Sequence, residues 1–362
     1  MLVLSHAMLA TLDEPTLSPP EPHSGPLPRD CTFAESDWRV LANFWYPVAL
    51  ADRVGDRPVS VTLLDQKLVL YRTSQGIAAA NDLCLHRGVP LSMGWIERDT
   101  LVCSYHGFRY DAQGRCIEIP AHPGAAIPPK LCLKTYPVEE RYGLVWTCLS
   151  GQPAAPLPEL PEWDDPAFQK AMPGPIDLRA TAGRQLEGFL DVAHFAWIHD
   201  KTFGDRKNPV VPTYEVEKNA FGLQARYRST VGNYLRQDGQ DPAPKEGVQR
   251  TFDVCLPFSA RLTVHMPDGA RLVILDSASP VSARHTRLFA PLLRNYDKDQ
   301  PVQPFIDYNN QIFSEDTEIV QSQCPEDLPL NLLDEVHIRA DRTSIAYRQE
   351  LGRLGLGQAY TS

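Results

Sequence analysis

The sequence predicts an α+β chain in two parts, an N-terminal all-β domain at residues 38–152 and a C-terminal domain at 153–362 in which helices cover an antiparallel sheet. Three observations predict it. Between Asn43 and Leu149 the apolar residues fall in short β-type runs (SVTLL, KLVLY, TLVCSY, GLVWTCL) parted by turn residues, without a long helical stripe. The proline-rich stretch GQPAAPLPELPEWDDP at 151–166 then restricts the backbone as a linker would. Beyond it, LEGFLDVAHFAWIH and FIDYNNQIFSEDTEIVQSQ carry apolar residues at helical spacing, and RLTVHMPDGARLVILDSAS reads as two strands around a Pro-Asp-Gly turn.

Ahead of the β domain, DEPTLSPPEPHSGPLPRD at 13–30 is too rich in proline for a helix or a central strand, so residues 1–37 are expected to form a flexible tail. The segment 237–247 lacks periodicity and is expected to be a mobile lid or a surface excursion. With 35 basic and 45 acidic residues the formal charge is −10, spread without blocks, which disfavours nucleic acid and acidic membranes as partners. The opening residues lack a basic stretch before their short apolar run, and no segment approaches the ~18 apolar residues of a membrane span. The expectation is a cytoplasmic enzyme. Six of the eight cysteines (Cys31, Cys116, Cys132, Cys148, Cys255, Cys324) are scattered and are expected to be buried, reduced thiols.

The chemistry concentrates in CLHRGVPLSMGWIERDTLVCSYHGFRYD, residues 84–111. Cys84 and His86 form one ligand pair, Cys103 and His106 a second, with sixteen residues between them and Gly88 and Gly107 just after each pair. Each pair is expected on a short hairpin-like loop. Zinc sites of the Cys2His2 type place both cysteines in one pair and both histidines in the other. Mixed pairs instead suit a 2Fe-2S cluster in which two thiolates hold one iron and two imidazoles the other, the ligation of a Rieske centre, with a potential of about −150 to +300 mV. Arg87 and Arg109, beside the pairs, are expected to be solvated charges rather than docking groups.

A second centre is expected in the C-terminal domain. Asp191 and His194 are three residues apart and predicted to share a helix face, whereas His199 lies about 140° further round an ideal helix. The helix must therefore bulge or end before His199 if both histidines bind one metal; the alternative is two separately satisfied histidines. In the helix at 305–323 the apolar stripe runs Phe305/Ile306, Ile312/Phe313, Ile319/Val320, and Asp316 lies on it. A carboxylate on a buried face is costly unless paired or metal-bound, so Asp316 is expected either to meet an arginine or to complete, with His194 and His199, a two-histidine, one-carboxylate site for iron(II). Glu315 and Glu318 lie off the stripe and read as solvated, and Glu187 is expected to line the site or to be structural. Phe195, Phe203, Tyr234, Phe252 and Tyr308 are candidate pocket walls that are more often core.

These segments resemble the Rieske non-haem iron oxygenases. The 84–111 stretch is similar to their cluster domain, Asp191-x-x-His194-x-x-x-x-His199 to their iron signature, and FSEDTEIVQSQCP to the segment supplying the third ligand. The blocks ERYGLVWTCL, PEWDDP and ADRTSIAYRQEL extend the likeness over most of the chain from about residue 40. Ser104 and Phe108 depart from the family's usual Cys-Pro-x-His-Gly-Trp. The resemblance is nearest to the vanillate, dicamba, toluenesulfonate and caffeine demethylase branch and the saxitoxin-pathway hydroxylases. It implies a terminal oxygenase (alpha) component working as a homotrimer, with a 2Fe-2S cluster, mononuclear Fe(II) and dioxygen as cosubstrate. Electrons would come from NAD(P)H through a reductase or ferredoxin, because no Gly-x-Gly-x-x-Gly follows a strand here. It further implies that Asp191 bridges His194 to His106 of a neighbouring subunit. Hydroxylation or N-/O-demethylation of a small aromatic, heterocyclic or alkaloid substrate is the expected reaction. The alternatives are ring cis-dihydroxylation and an electron-transfer protein without oxygenase activity.

Overall fold

The computed structural model describes residues 17–229 and 247–357. The chain divides into a compact unit at Pro22–Pro156 and a second that groups the residues before Pro22 with Leu157 onward. The segment expected as a lid lies outside the described residues apart from Gly247, as does Tyr234. Among the described residues no helix is long and apolar enough to cross a membrane.

The first unit opens with α1 (Glu35–Leu41), which has acidic residues in its first turn and an Arg39–Glu35 ion pair. It buries Trp38, whose indole N–H donates to the Leu64 carbonyl at 2.8 Å. Residue 38, read from the sequence as the domain's first, is therefore inside a helix, and residues 23–25 of the expected tail are tied down, while its residues 1–16 lie outside the described residues. The His23 amide donates to the Arg39 carbonyl at 3.0 Å, and the Arg39 guanidinium donates to the Gly25 carbonyl at 3.0 Å and to that of His23. A fork of donors thus satisfies a backbone that proline keeps out of any sheet.

Three small antiparallel sheets follow. The one that positions chemistry runs Trp95–Glu97, Thr100–Val102, Arg109–Tyr110, Cys116–Glu118. Its hairpin pairs Leu101 with Tyr110 and Val102 with Arg109 and carries Cys103 and His106 at its tip. Cys84 and His86 sit on a loop between the strands Gly76–Asn81 and Trp95–Glu97, so only the second ligand pair lies on a true hairpin.

Among the described residues the second unit is built on a nine-stranded antiparallel sheet whose central strands are Val248–Cys255, Ser259–His265 and Arg271–Ser282. The last two flank the expected Pro-Asp-Gly turn. Over it lie α2 (Ala182–Leu190), α3 (Phe195–Ile198), α4 (Gln303–Ser322) and α5 (Arg342–Arg353). The Thr181 hydroxyl caps α2 by accepting the Arg184 amide at 3.1 Å. From there α2 packs on the strand Arg271–Ser282 and on α4 and α5. In α4 the stripe buries Phe305, Asn309, Ile312, Phe313 and Val320, whereas Ile319 is 46 % exposed.

All eight cysteines are free thiols. Of the six scattered cysteines, Cys116 and Cys148 are buried as expected and Cys31 and Cys255 partly so, whereas Cys132 and Cys324 are exposed.

Candidate metal centres

The two ligand loops of the first unit repeat one backbone pattern. Cys84 N–H donates to Val89 O at 2.8 Å and Gly88 N–H to Cys84 O at 2.9 Å; Cys103 N–H donates to Phe108 O and Gly107 N–H to Cys103 O, both at 2.9 Å. Each glycine adopts the left-handed conformation, φ 72° and 71°, that closes the turn and that other residues adopt at a cost. The turns converge their ligands: His86 Nδ1 and His106 Nδ1 lie 3.2 Å apart. Tetrahedral ligands ~2.1 Å from one metal ion are separated by about 3.4 Å, so both imidazoles can hold one iron. Cys84 and Cys103 are 2 % and 1 % exposed. Burial pushes the Cys103 thiol up, while the Tyr105 and His106 amides hydrogen-bond to its sulfur and favour the thiolate. Such a pair of buried sulfurs suits metal ligation. The Tyr110 hydroxyl is 3.4 Å from Cys84 Sγ, and burial keeps it protonated, available as a donor to a thiolate. Phe108 stacks on His86 with centroids 4.6 Å apart and planes within 5°. Arg109 is not a free solvated charge: it pairs with Glu97 and Glu118, each at 2.9 Å, which fastens the hairpin. Arg87 is exposed.

In the second unit α2 stops at Leu190, so Asp191 and His194 do not share a helix face as the spacing suggested. Asp191 is extended (φ −71°, ψ 132°), and its Oδ1 accepts the Ala193 amide at 2.8 Å, a turn that competes with further helix. The chain re-enters helix only for α3, with His194 at its start and His199 just past its end. The break before His199 was expected; its position at Asp191 was not. It turns both imidazoles toward α4. His194 Nε2 and His199 Nε2 are 3.1 Å apart, and Asp316 Oδ1 lies 3.5 Å from the first and 3.2 Å from the second. Ligands at ~2.1 Å occupying one face of an octahedron are about 3.0 Å apart, so the triangle matches a facial site that leaves three positions open.

The outer contacts show what the inner atoms are. Asp191 Oδ2 faces His194 Nδ1 at 3.2 Å, and Glu315 Oε2 faces His199 Nδ1 at 2.9 Å. Each carboxylate fixes the proton on Nδ1, so both Nε2 atoms present lone pairs to each other and to Asp316. Three acceptors without a hydrogen between them repel unless a cation sits at their centre. Burial lowers the His199 proton affinity, but Asp316 and Glu315 together outweigh it and raise the value, an environment that favours positive charge. The residues present therefore fit a mononuclear iron. Phe203 stacks on His199 at 4.6 Å and Phe195 meets His194 edge-on at 4.9 Å, with Arg250 over both phenyl rings at 5.4 and 5.8 Å. These phenylalanines, and Phe252, are buried.

One further assignment changes with the structure. Glu315 is not solvated: its side chain is 12 % exposed, and the same Oε2 also accepts the Thr202 hydroxyl at 2.9 Å. Its place one residue off the apolar stripe of α4 points it at the loop that follows α3, which periodicity within α4 does not reveal. Glu318 is exposed as expected. Glu187 is structural, held by Arg348 Nη2 at 2.8 Å in a buried network in which Arg348 and Arg184 also donate to Glu335 at 2.6 and 2.7 Å. With His337, Asp341 and Ser344 this network borders a recess of about 300 Å³ beside Asp191.

Residues 44–137 match the Rieske 2Fe-2S domain, and residues 178–356 match the vanillate O-demethylase oxygenase C-terminal domain. The methylxanthine N1-demethylase NdmA of Pseudomonas putida is 32 % identical over 87 % of this chain and 89 % of its own. The chain belongs to the Rieske oxygenases. Methylxanthine N3-demethylase NdmB of the same organism is 31 % identical over 86 % of this chain and 89 % of its own. The structure of NdmA with caffeine superposes with a TM-score of 0.78 at 30 % identity, covering 88 % of this chain and 92 % of NdmA. Dicamba monooxygenase, 22 % identical and with a TM-score of 0.73 over 87 % of this chain and 97 % of its own, shares the fold.

The chain is thus a Rieske monooxygenase, and its family implies an iron–sulfur cluster and a mononuclear iron. One consequence concerns the carboxylate missed in the sequence. Glu315→Gln, which can no longer hold the His199 Nδ1 proton as an anion, is expected to weaken mononuclear iron binding by about 10- to 100-fold. Chelator titration with the cluster absorption as an internal standard reads it; unchanged iron retention would remove Glu315 from the site.

Proposed function

We propose that this chain is the terminal oxygenase of a system in which a separate reductase, alone or with a ferredoxin, relays electrons from NAD(P)H. In this assignment Cys84 and Cys103 hold one iron of the cluster, His86 and His106 the other, and His194, His199 and Asp316 hold the mononuclear iron. When bound, the cluster supplies single electrons and the mononuclear iron activates dioxygen. Asp191 keeps His194 in the tautomer whose Nε2 is a ligand. In a homotrimer it would accept a second hydrogen bond, from His106 of a neighbouring copy entering the recess beside it, so that two imidazoles on one carboxylate connect cluster and iron. Phe195, Phe203 and Phe252 keep bulk water from the ligands.

The net reaction inserts one oxygen atom into a C–H bond of a small organic substrate, while the second leaves as water with two electrons and two protons. On an N- or O-methyl carbon the product is a hemiaminal or hemiacetal, which releases formaldehyde. The similarity to the two methylxanthine demethylases favours demethylation of a nitrogen heterocycle. The observation that carries the assignment is the convergence of His194, His199 and Asp316, ligand atoms within 4.8 Å, in a chain that also pairs two thiols with two imidazoles. An electron-transfer protein would have no use for the second set.

Reconstituted protein is expected to bind about three iron atoms per chain, two in the cluster and one apart. With a surrogate reductase, NADH and a panel of methylated aromatics and purines, mass spectrometry should find a demethylated product matched by formaldehyde. Iron stopping at two per chain would favour the electron-transfer reading, and a product heavier by one oxygen without formaldehyde would make the enzyme a hydroxylase.

A further inference from the structure

The two histidines of the triad are held differently. His194 is anchored locally, by Asp191 three residues before it, and its side chain is 17 % exposed. The side chain of His199 is 2 % exposed, and its ring nitrogens, ring face and carbonyl each meet a partner. Consecutive residues of α4 take the nitrogens: Glu315 Oε2 lies 2.9 Å from Nδ1 and Asp316 Oδ1 3.2 Å from Nε2. Residues 202–204 take the rest. The Thr202 and Gly204 amides donate to the His199 carbonyl at 2.9 and 2.7 Å, and Phe203 between them stacks on the imidazole. Only glycine fits where the chain returns over the end of α3, because a Cβ on Gly204 would run into the Phe195 carbonyl oxygen and lie 2.8 Å from the His199 carbonyl carbon.

One contact of this cradle reaches a distant element. The Thr202 hydroxyl has two acceptors within reach, the His199 carbonyl at 3.3 Å and Glu315 Oε2 at 2.9 Å. A hydroxyl has one hydrogen to donate, and the nearer, charged oxygen is the stronger acceptor, so the bond goes to Glu315. Little else fixes that carboxylate. Its other oxygen is 3.4 Å from the amide nitrogen of Gln311, a long bond from an exposed side chain. Among the described residues it pairs with neither arginine nor lysine. Without the hydroxyl, Oε2 would keep only the His199 hydrogen, and a long, partly exposed side chain regains rotamer freedom by turning toward water.

We infer that Thr202 is a positioning residue of the mononuclear iron site: its hydroxyl holds Glu315 against His199 Nδ1 and so keeps the Nε2 lone pair aimed at the metal. The inference rests on the oxygenase assignment above. His199 is then the fixed corner of the triad, tied to α4 through both nitrogens and to its own loop through its carbonyl and ring face.

Chelator competition on the full chain, loaded with Fe(II) and with the cluster absorption as internal standard, tests it. Thr202→Val keeps the branched shape and loses the hydroxyl, and is expected to weaken mononuclear iron binding by about 10-fold, as removal of a group behind a metal ligand does. Thr202→Ser keeps the hydroxyl and should stay within about 2-fold of the parent. In a Glu315→Ala chain the hydroxyl has no carboxylate to hold, so adding Thr202→Val there should cost less than about 2-fold more, whereas a threonine that merely shapes the loop would cost as much as before. Iron binding in Thr202→Val equal to that of the parent, a serine variant as weak as the valine one, or an undiminished effect in the Glu315→Ala chain would each overturn the inference. The parent titration keeps the two readings apart. A parent that holds only the iron of its cluster counts against the oxygenase assignment; a third iron indifferent to Thr202→Val counts against Thr202 alone.

Discussion

An Asp316→Ala variant is expected to purify with the visible absorption of its cluster intact, with about two iron atoms per chain in place of about three, and with turnover lowered at least about 1000-fold. The expectation follows from the geometry of the triad. Asp316 Oδ1 is the only negatively charged member, 3.5 and 3.2 Å from the two Nε2 atoms, and without it two neutral imidazoles 3.1 Å apart remain. Two nitrogens still bind a divalent cation, but neither the charge nor the third corner of the facial set is left. Glu315 cannot substitute, because its Oε2 is committed to His199 Nδ1 and to Thr202. Asp316→Glu separates charge from position. It keeps the anion but moves it one methylene, so partial iron binding with low activity is its expected result. Full turnover in the alanine variant would show that the mononuclear site lies elsewhere.

Asp191→Ala is expected to keep both the cluster and the third iron and yet lose turnover by about 100-fold or more. Asp191 is not among the three inner atoms. Its Oδ2 meets the far nitrogen of His194, and its Oδ1 is tied to the Ala193 amide. Burial works against the ionised form, but the His194 hydrogen bond and charge and the Ala193 and His194 amides more than offset it and hold the carboxyl below its ordinary range. A permanent anion is thus fixed behind a ligand and beside an open recess. With Asp191 removed, His194 still reaches the metal, so iron content should change little. On the trimer proposed above, what is lost is the hydrogen-bonded link through which a neighbouring copy's imidazole would pass an electron. Single-turnover mixing of the pre-reduced protein with dioxygen and substrate separates the roles: the cluster should stay reduced in Asp191→Ala while the iron remains. Prompt reoxidation of the cluster with normal product would remove the bridge from the mechanism, and loss of iron would make Asp191 a positioning residue for His194 alone.

Much of the site was legible in the sequence, for a physical reason that differs from residue to residue. The two cysteine–histidine pairs are local: each is a tight turn closed by a glycine with positive φ, and the two backbone hydrogen bonds that close it fall within a span of six residues. Helix α4 was legible because its apolar stripe is a property of one element, and Asp316 stood out as a carboxylate on that stripe. The strands on either side of the Pro-Asp-Gly turn were legible for the same reason. Spacing misplaced the break in the 186–199 segment, because the apolar pattern continues through Asp191, where a side chain bonded to its own backbone ends the helix.

The sequence by itself determined the candidate metal ligands as chemical types and the order of the two domains. Only the tertiary structure decided which groups stand behind those ligands. His199 and Glu315 are 116 residues apart, Arg348 and Glu187 161, and Gln185 and Asp276 91. Periodicity reports how one element divides its residues between core and solvent. It is silent on which distant element arrives at a given side chain. Glu315 looks like an ordinary surface acid in its own helix, Glu187 like a helix acid that either lines the site or is structural, and Asp276 like a lone polar residue in a strand. They acquire partners, or conspicuously fail to, only when the sheet and its covering helices bring them together out of water.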